Sequence, residues 1–254
     1  MAFLNSHASV RRFTDRPISA DDERRILETA ERAPTSSNLH AWSVISIRDE
    51  AKKKKLAELT GNQSHVAESA LFLVWLADLY RLQRLADQRE YRSNVDFTES
   101  FLIAVVDCAL AAQRGLMAAQ ALGMGGVMVG GIRNHIEEVS SLLQLPKFVT
   151  PVMGMSLGYP ATKPKIKPRL PLEGLAFQET YDSDAIDAAV AAYDDTIASL
   201  GYLEGREVEP EKYGEFDGRY SWSEHTARRM ATTNPITRRE HLLDYLHKQG
   251  FLRK

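Results

Sequence analysis

A single cysteine, Cys108, stands among 254 residues, which excludes an intrachain disulfide and any cysteine-based metal cluster. Neither sign of charge prevails. The 32 Lys+Arg and 34 Asp+Glu leave a formal net charge of −2, against the strong basic excess of a dedicated nucleic-acid binder. Unbroken apolar runs are short. The longest, 71–77 and 101–106, fall well below the roughly 20 residues of a membrane helix. The opening MAFLNSHASVRRF lacks the apolar stretch of a secretion signal. The expectation is a cytoplasmic protein with no membrane and no nucleic-acid partner. Repeats and low-complexity tracts are also missing.

What is present is ordinary globular material, 44% hydrophobic and 26% charged. A chain of this size supports one large core without staples. Ser19 followed by Asp22 forms a capping-box-like start to a helix whose inner face carries Ile26, Leu27, Ala30 and Ala33, stopped by Pro34. Trp42 to Ile47 reads as a strand, and 50–60 as an exposed helix whose four lysines form a solvated face. Residues 71–77 are continuously apolar, as in a strand buried on both faces. The dominant helix covers 98–122 and is apolar nearly all round, so it belongs at the centre. Short strands follow at 127–129 and 151–157, with a helix capped by Asn134 between them. The prolines of 160–174 impose an extended arm. Ser183 opens an amphipathic helix, 201–222 is a polar loop, and two short helices finish the chain, the last opened by Thr237-x-x-Glu240 and closed by Gly250. About four strands among seven or eight helices make an α+β fold, expected as a single domain over 1–254 with a helical C-terminal extension from about 180.

Several catalytic patterns fail on context. G-M-S-L-G at 154–158 matches a nucleophile elbow around Ser156, but Tyr159-Pro160 follows where a helix is required, so a serine hydrolase is a remote alternative. No metal-binding pattern joins the seven histidines, and His40, His65, His135, His225, His241 and His247 read as surface or capping residues. Cys108 reads as a small core residue. Gly123 to Gly131 holds five glycines in nine residues but lacks both the dinucleotide and the P-loop signature. Close approach to a ligand and tight packing on the central helix are equally compatible with it.

Two basic elements remain: His7 to Phe13, and Lys163 to Arg169 in the extended arm. Both put cations on non-helical backbone, as phosphate recognition requires. Between them lie two turns rich in neutral donors, 34–38 and 60–63. Together the segments H-x-S-V-R-x-F-T-D from His7, P-T-S-S-N from Pro34, L-T-G-N-Q from Leu59, G-G-V-x-x-G-G-I-R-N from Gly125, K-P-R-L-P from Lys167 and D-Y-L-H-K-Q-G-F from Asp244 resemble the FMN-dependent nitroreductase family. Within it they are most similar to the oxygen-insensitive NADPH nitroreductases and NADPH–flavin oxidoreductases.

That resemblance implies a layered α+β fold, with a mostly antiparallel central sheet surrounded by helices, in a domain-entwined homodimer that binds FMN at the subunit interface. It implies that His7, Ser9 and Arg11, with Lys167 and Arg169, hold the phosphate end. Thr35 and Ser37 lie beside the flavin, Gln63 meets the polar edge of the ring, and Met128, Val129, Gly130 and Gly131 run along it. No catalytic side chain is expected, since the flavin carries the chemistry: ping-pong hydride transfer from NADPH, or NADH, to a nitroaromatic, quinone or free flavin. Reductive dehalogenation or flavin breakdown on the same fold is the alternative, and a non-enzymatic phospholigand binder a further one. Arg206, Arg219 and Arg239 are the candidates for the 2′-phosphate of NADPH. Against them stand Glu204, Glu207, Glu209, Glu211, Glu215 and Asp217 in a loop longer and more acidic than is usual in the family. His40 also stands where relatives often carry Gln.

Overall fold

The computed structural model describes residues 1–214 and 220–254. In chain order its elements are α1 (Ala20–Glu31), β1 (Trp42–Ile47), α2 (Glu50–Leu59), α3 (Ser64–Ala67), β2 (Leu71–Asp78), α4 (Tyr80–Asp87), α5 (Thr98–Ala121), β3 (Gly125–Val129), α6 (Ile136–Leu142), β4 (Val149–Gly158), α7 (Asp184–Ser199), α8 (Pro210–Tyr213), α9 (Trp222–Ala231), α10 (Pro235–Arg238) and α11 (Leu242–Gln249). They divide into two compact units. Met1–Lys165 joins Arg239–Lys254 in the first, and Ile166–Arg238 forms the second.

The first unit is built on an antiparallel sheet in the order β1-β2-β4-β3. Alternation along β2 feeds two separate cores. Leu71, Leu73 and Trp75 meet Ile26 and Ala30 of α1 and Cys108, Ala112 and Leu116 of α5. Phe72, Val74 and Leu76 point the other way, against Leu56 and Leu59 of α2 and Val139 of α6. This two-sided burial accounts for the unbroken apolar run in the sequence. A third cluster gathers Tyr245, Leu246 and Phe251, at the end of the chain, with Ala104 and Ile136.

Local signals explain most boundaries. Ser19 caps α1 by accepting from the Asp22 amide at 3.0 Å, and Asp49 caps α2 through the Lys52 amide at 2.7 Å. Gly250, at φ 101°, closes α11. Other expectations require correction. Asn134 does not cap α6, because its side-chain oxygen accepts from Arg239. Thr237 lies inside α10, whose first turn is held by Asn234, so the expected box before the last helix does not form. Lys53 is buried rather than solvated. It lies on the inner side of α2 with its ammonium on the Ser69 carbonyl at 2.6 Å, and burial lowers its pKa. By length and composition α5 could cross a membrane, although no unbroken apolar run predicted it. Here it packs on α1 and the sheet through Cys108, Ala111, Ala112, Leu116 and Ala119.

In the second unit, α7 and α9 pack together. The Asp194 carboxylate on α7 accepts from the amide and hydroxyl of Ser223 at the start of α9. The Arg228 guanidinium is buried. It donates to Glu224 at 2.6 Å and to the Gly214 carbonyl at 3.2 Å, and it lies over the rings of Tyr213 and Tyr220.

Gly154 shows how tightly the first unit is closed. A Cβ there would stand 2.5 Å from the Phe72 ring. Gly154→Ala is expected to lower stability by about 1–3 kcal/mol, read as a shifted urea midpoint at unchanged m-value.

Candidate functional site

The N-terminal segment runs beside the edge strand β3, tied by the Val10 amide to the Gly126 carbonyl at 3.0 Å. Its side chains alternate. Ala8 and Val10 are buried, whereas Ser9 and Arg11 are exposed and His7 is half-buried. Extended backbone with a period of two thus puts His7, Ser9 and Arg11 on one face. His7 is held by a contact between its Nδ1 and Gln120 Nε2 at 3.1 Å.

The turn at 35–40 is anchored by a residue that sequence reasoning missed. Asp107, on α5 and 1% exposed, accepts from the Ser36 amide at 3.0 Å and from the Ala41 amide at 3.2 Å. An acid in the apolar middle of α5, between Val106 and Cys108, was the available signal. Between those two amides, Ser37, Asn38 and His40 adopt φ of 47°, 57° and 50°. Left-handed backbone at three non-glycine residues is costly, and such strain is characteristic of ligand sites. Thr35 is half-buried and its Oγ1 accepts from the His40 amide at 3.4 Å, while Ser37 is exposed.

The glycine-rich stretch resolves largely into packing. Added Cβ atoms would stand 2.4 Å from Val10 at Gly125, 2.6 Å from Leu157 at Gly126, and 2.4 Å from the Thr60 carbonyl at Gly131. The last contact draws the 60–63 turn against the end of β3, so Gln63 and Gly131 adjoin. In that strand Val129 is buried, while Met128 is half-buried. Arg239 reaches the same place. Its Nη2 donates to the Gly130 carbonyl at 3.2 Å and to Asn134 Oδ1 at 3.0 Å. Burial first, then the neighbouring Arg239, lowers the pKa of Arg133 on the same turn.

His65 is buried, contrary to its reading as a surface residue. Its Nε2 lies 3.0 Å from Gln63 Oε1 and its Nδ1 3.1 Å from Ser156 Oγ. Desolvation by burial, then the Arg11 guanidinium, lowers its pKa, with Glu68 opposing. A serine bonded to a histidine is what nucleophilic catalysis needs, but Ser156 is 0% exposed within β4 and no elbow turn follows it. The hydrolase reading therefore has no accessible nucleophile. Cys108 is likewise buried, and burial, with Asp107, pushes its thiol pKa up.

Within the second unit, Lys167 and Arg206 meet at Tyr202. Lys167 donates to the phenol oxygen, and the Arg206 guanidinium lies 5.0 Å from the ring centroid. The bond from Lys167 is the main cause that lowers the Tyr202 pKa. Arg169 donates to the carbonyls of Lys167 and Pro168 at 3.0 and 3.2 Å. Arg219, Glu215 and Asp217 lie outside the described residues. Glu209 accepts from Thr232 and stands 3.6 Å from the Lys212 ammonium, so that member of the acidic loop is neutralised internally.

The first unit thus brings the Gln63 amide, the Gly130–Gly131 turn and Arg239 together beyond the end of β3, with Ser9 and Arg11 on the segment tied to the start of that strand at Gly126, while Lys167 and Arg169 belong to the second unit. Within the first unit, cations beside neutral donors suit a ligand with a phosphate and a flat polar ring.

The model of the nitroreductase family matches residues 4–159, and that of the nitroreductase family C-terminal domain matches 167–254. The chain is 38% identical over 248 residues to an oxygen-insensitive NADPH nitroreductase of Salmonella typhimurium, covering 98% of this chain and 96% of that one. It is 35% identical to an FMN reductase (NADPH) of Bacillus subtilis, covering 97% and 95%. A solved nitroreductase structure from Bacillus subtilis superposes with a TM-score of 0.88 at 34% identity, covering 100% of this chain and 99% of that one. The chain belongs to the nitroreductase family.

Asp107→Ala removes the acceptor of two backbone amides, that of Ala41 buried and that of Ser36 part-buried. A loss of about 3 kcal/mol is expected, with the turn at 35–40 released. Amide hydrogen exchange at Ser36 and Ala41, faster in the variant by more than global destabilisation explains, is the check.

Proposed function

We propose that the chain is an NAD(P)H-dependent flavin oxidoreductase that holds FMN and reduces small-molecule acceptors such as nitroaromatics, quinones or free flavin. The observation that carries this reading is the meeting of Gln63 and the Gly130–Gly131 turn, both in the family's motifs, with Arg239 at the end of β3. The named relatives, an NADPH nitroreductase and an FMN reductase, support the same activity.

Bound there, FMN would supply hydride transfer between a nicotinamide donor and a two-electron acceptor. The chain's own groups bind and orient. Arg11 and Ser9, with His7 beside them, are assigned to the phosphate, and Lys167 and Arg169 are the phosphate cations we assign on the second unit. Charge-assisted hydrogen bonds of this kind contribute about 1.5–3 kcal/mol each. The Gln63 amide would meet the polar edge of the ring, Met128, Val129, Gly130 and Gly131 would run along it, and Thr35 and Ser37 would lie beside it on the strained turn. NADPH is the assigned donor. Arg206 and Arg239 are its candidate partners, together with Arg219. Reductive dehalogenation and flavin breakdown use the same cofactor and are separated from this reading by the acceptor.

The wild type is expected to purify yellow, with flavin absorbance, and to oxidise NADPH steadily in the presence of menadione or nitrofurazone. The double variant Arg11→Ala/Arg169→Ala is expected to lose both flavin and turnover. Full FMN occupancy in that variant overturns the phosphate assignment, and a colourless wild type that binds no added FMN overturns the function.

A homodimer is part of the same reading. Leu102, Val106 and Leu110, four residues apart on α5, are 52%, 54% and 39% exposed. They form an apolar stripe along one side of that helix, of the kind that a second copy covers. Sedimentation is expected to show a dimer at micromolar concentration, and Val106→Glu to shift it toward monomer. A stable wild-type monomer that retains FMN counts against the dimer.

A further inference from the structure

We propose that His65 is a positioning residue which, locked by Ser156, fixes the Gln63 carboxamide so that it presents a hydrogen-bond donor to the flavin. The proposal rests on the functional reading above. Its argument begins from one backbone oxygen. Gln63 Nε2 lies 2.7 Å from the Thr60 carbonyl, an atom that can only accept. The amide nitrogen must therefore face Thr60, since the reverse orientation would set two carbonyl oxygens against each other. Gln63 Oε1 then faces His65 Nε2 at 3.0 Å, and that nitrogen must carry a proton. In a neutral ring the proton on Nε2 leaves Nδ1 bare. Nδ1 lies 3.1 Å from Ser156 Oγ, so the serine hydroxyl donates to it. Thr60, Gln63, His65 and Ser156 form one chain of defined polarity.

The neutral form is the one that the surroundings favour. His65 is 7% exposed and Ser156 0%, and burial together with Arg11 opposes the imidazolium. Each link occupies a fixed element. Thr60 ends α2, His65 lies in the short α3, and Ser156 sits mid-strand in β4 on the same face as Phe72. Two hydrogen-bonding functions of the carboxamide are left over, the second lone pair of Oε1 and the second N–H on Nε2, and the latter is the one beside the glycine turn. That nitrogen adjoins Gly131, where an added Cβ would stand 2.5 Å from it. The glycine turn and the donor therefore meet at the same spot. A Gln side chain free to rotate by 180° would offer an acceptor there half the time. The network removes that choice before any ligand arrives, which is preorganisation in its ordinary sense.

Three variants test the proposal in the full-length chain. His65→Leu removes both ring nitrogens at similar size. His65→Gln retains a donor where Nε2 stood. Ser156→Ala removes only the donor to Nδ1. Long-range nitrogen–proton spectra of the wild type without flavin are expected to show the neutral Nε2–H tautomer, and Ser156→Ala to show a tautomer mixture. The FMN dissociation constant, read by flavin fluorescence, is expected to rise about tenfold in His65→Leu and two- to threefold in Ser156→Ala, the scale of one lost hydrogen bond. The midpoint potential of the bound flavin is expected to fall in His65→Leu and to return in His65→Gln. A mere packing role leaves the tautomer and the potential unmoved. An Nδ1–H tautomer in the wild type overturns the proposal. So does a folded His65→Leu with wild-type affinity and potential. If His65→Leu does not fold, a Ser156→Ala protein with unchanged tautomer and affinity overturns it. A wild type that binds no FMN overturns the functional reading instead, whatever the tautomer.

Discussion

Burial of β2 on both faces is the constraint from which the rest of the first unit follows. A strand with apolar side chains on both surfaces needs a cover on each, and α1 with α5 supplies one while α2 and α6 supply the other. Its neighbours in the sheet then sit at fixed register. β4 therefore brings Ser156 opposite Phe72 and, on its other edge, opposite Val127. The same covers carry the polar groups. α5 brings Asp107 to the strained turn, and the chain leaving α2 brings Thr60 and Gln63 to the end of β3. The polar site is thus a by-product of where the apolar layers must lie.

Much of this was legible in the sequence. β1 covers the expected residues, because an alternating segment between turn residues has few other solutions, and α5 agrees to within one residue. The apolar run of 71–77 gave both the strand and its burial. The family motifs identified the segments that carry the candidate site. The misses have more than one cause. Asn134 and Thr237 carried correct capping chemistry, but other residues took over: the distant Arg239 claimed the Asn134 oxygen, and the local Asn234 capped the first turn of α10. Lys53 was misread because its neighbours on α2 are solvated, and only the packing of that helix distinguishes it from them.

His65 and Asp107 were missed for a different reason. α3 is four residues long, too short to show a period, and the bonds of His65 reach a residue 91 positions away. The partners of Asp107 are backbone amides 71 and 66 positions away, and an amide leaves no trace in residue type. Contacts of this kind exist only once the fold has brought the segments together. In the glycine-rich stretch, by contrast, sequence left ligand approach and packing equally open, and distances decided for packing at three of the five glycines.

The placement of Cys108 has a chemical consequence for the quinone acceptors proposed above. Quinones are Michael acceptors as well as electron acceptors, and a thiolate in contact with them is alkylated. The chain's single sulfhydryl is fully buried beneath the sheet, in surroundings that favour the protonated form over the nucleophilic thiolate. Self-inactivation through cysteine is closed off by architecture alone, so the folded protein can work among soft electrophiles without a reducing partner to protect it.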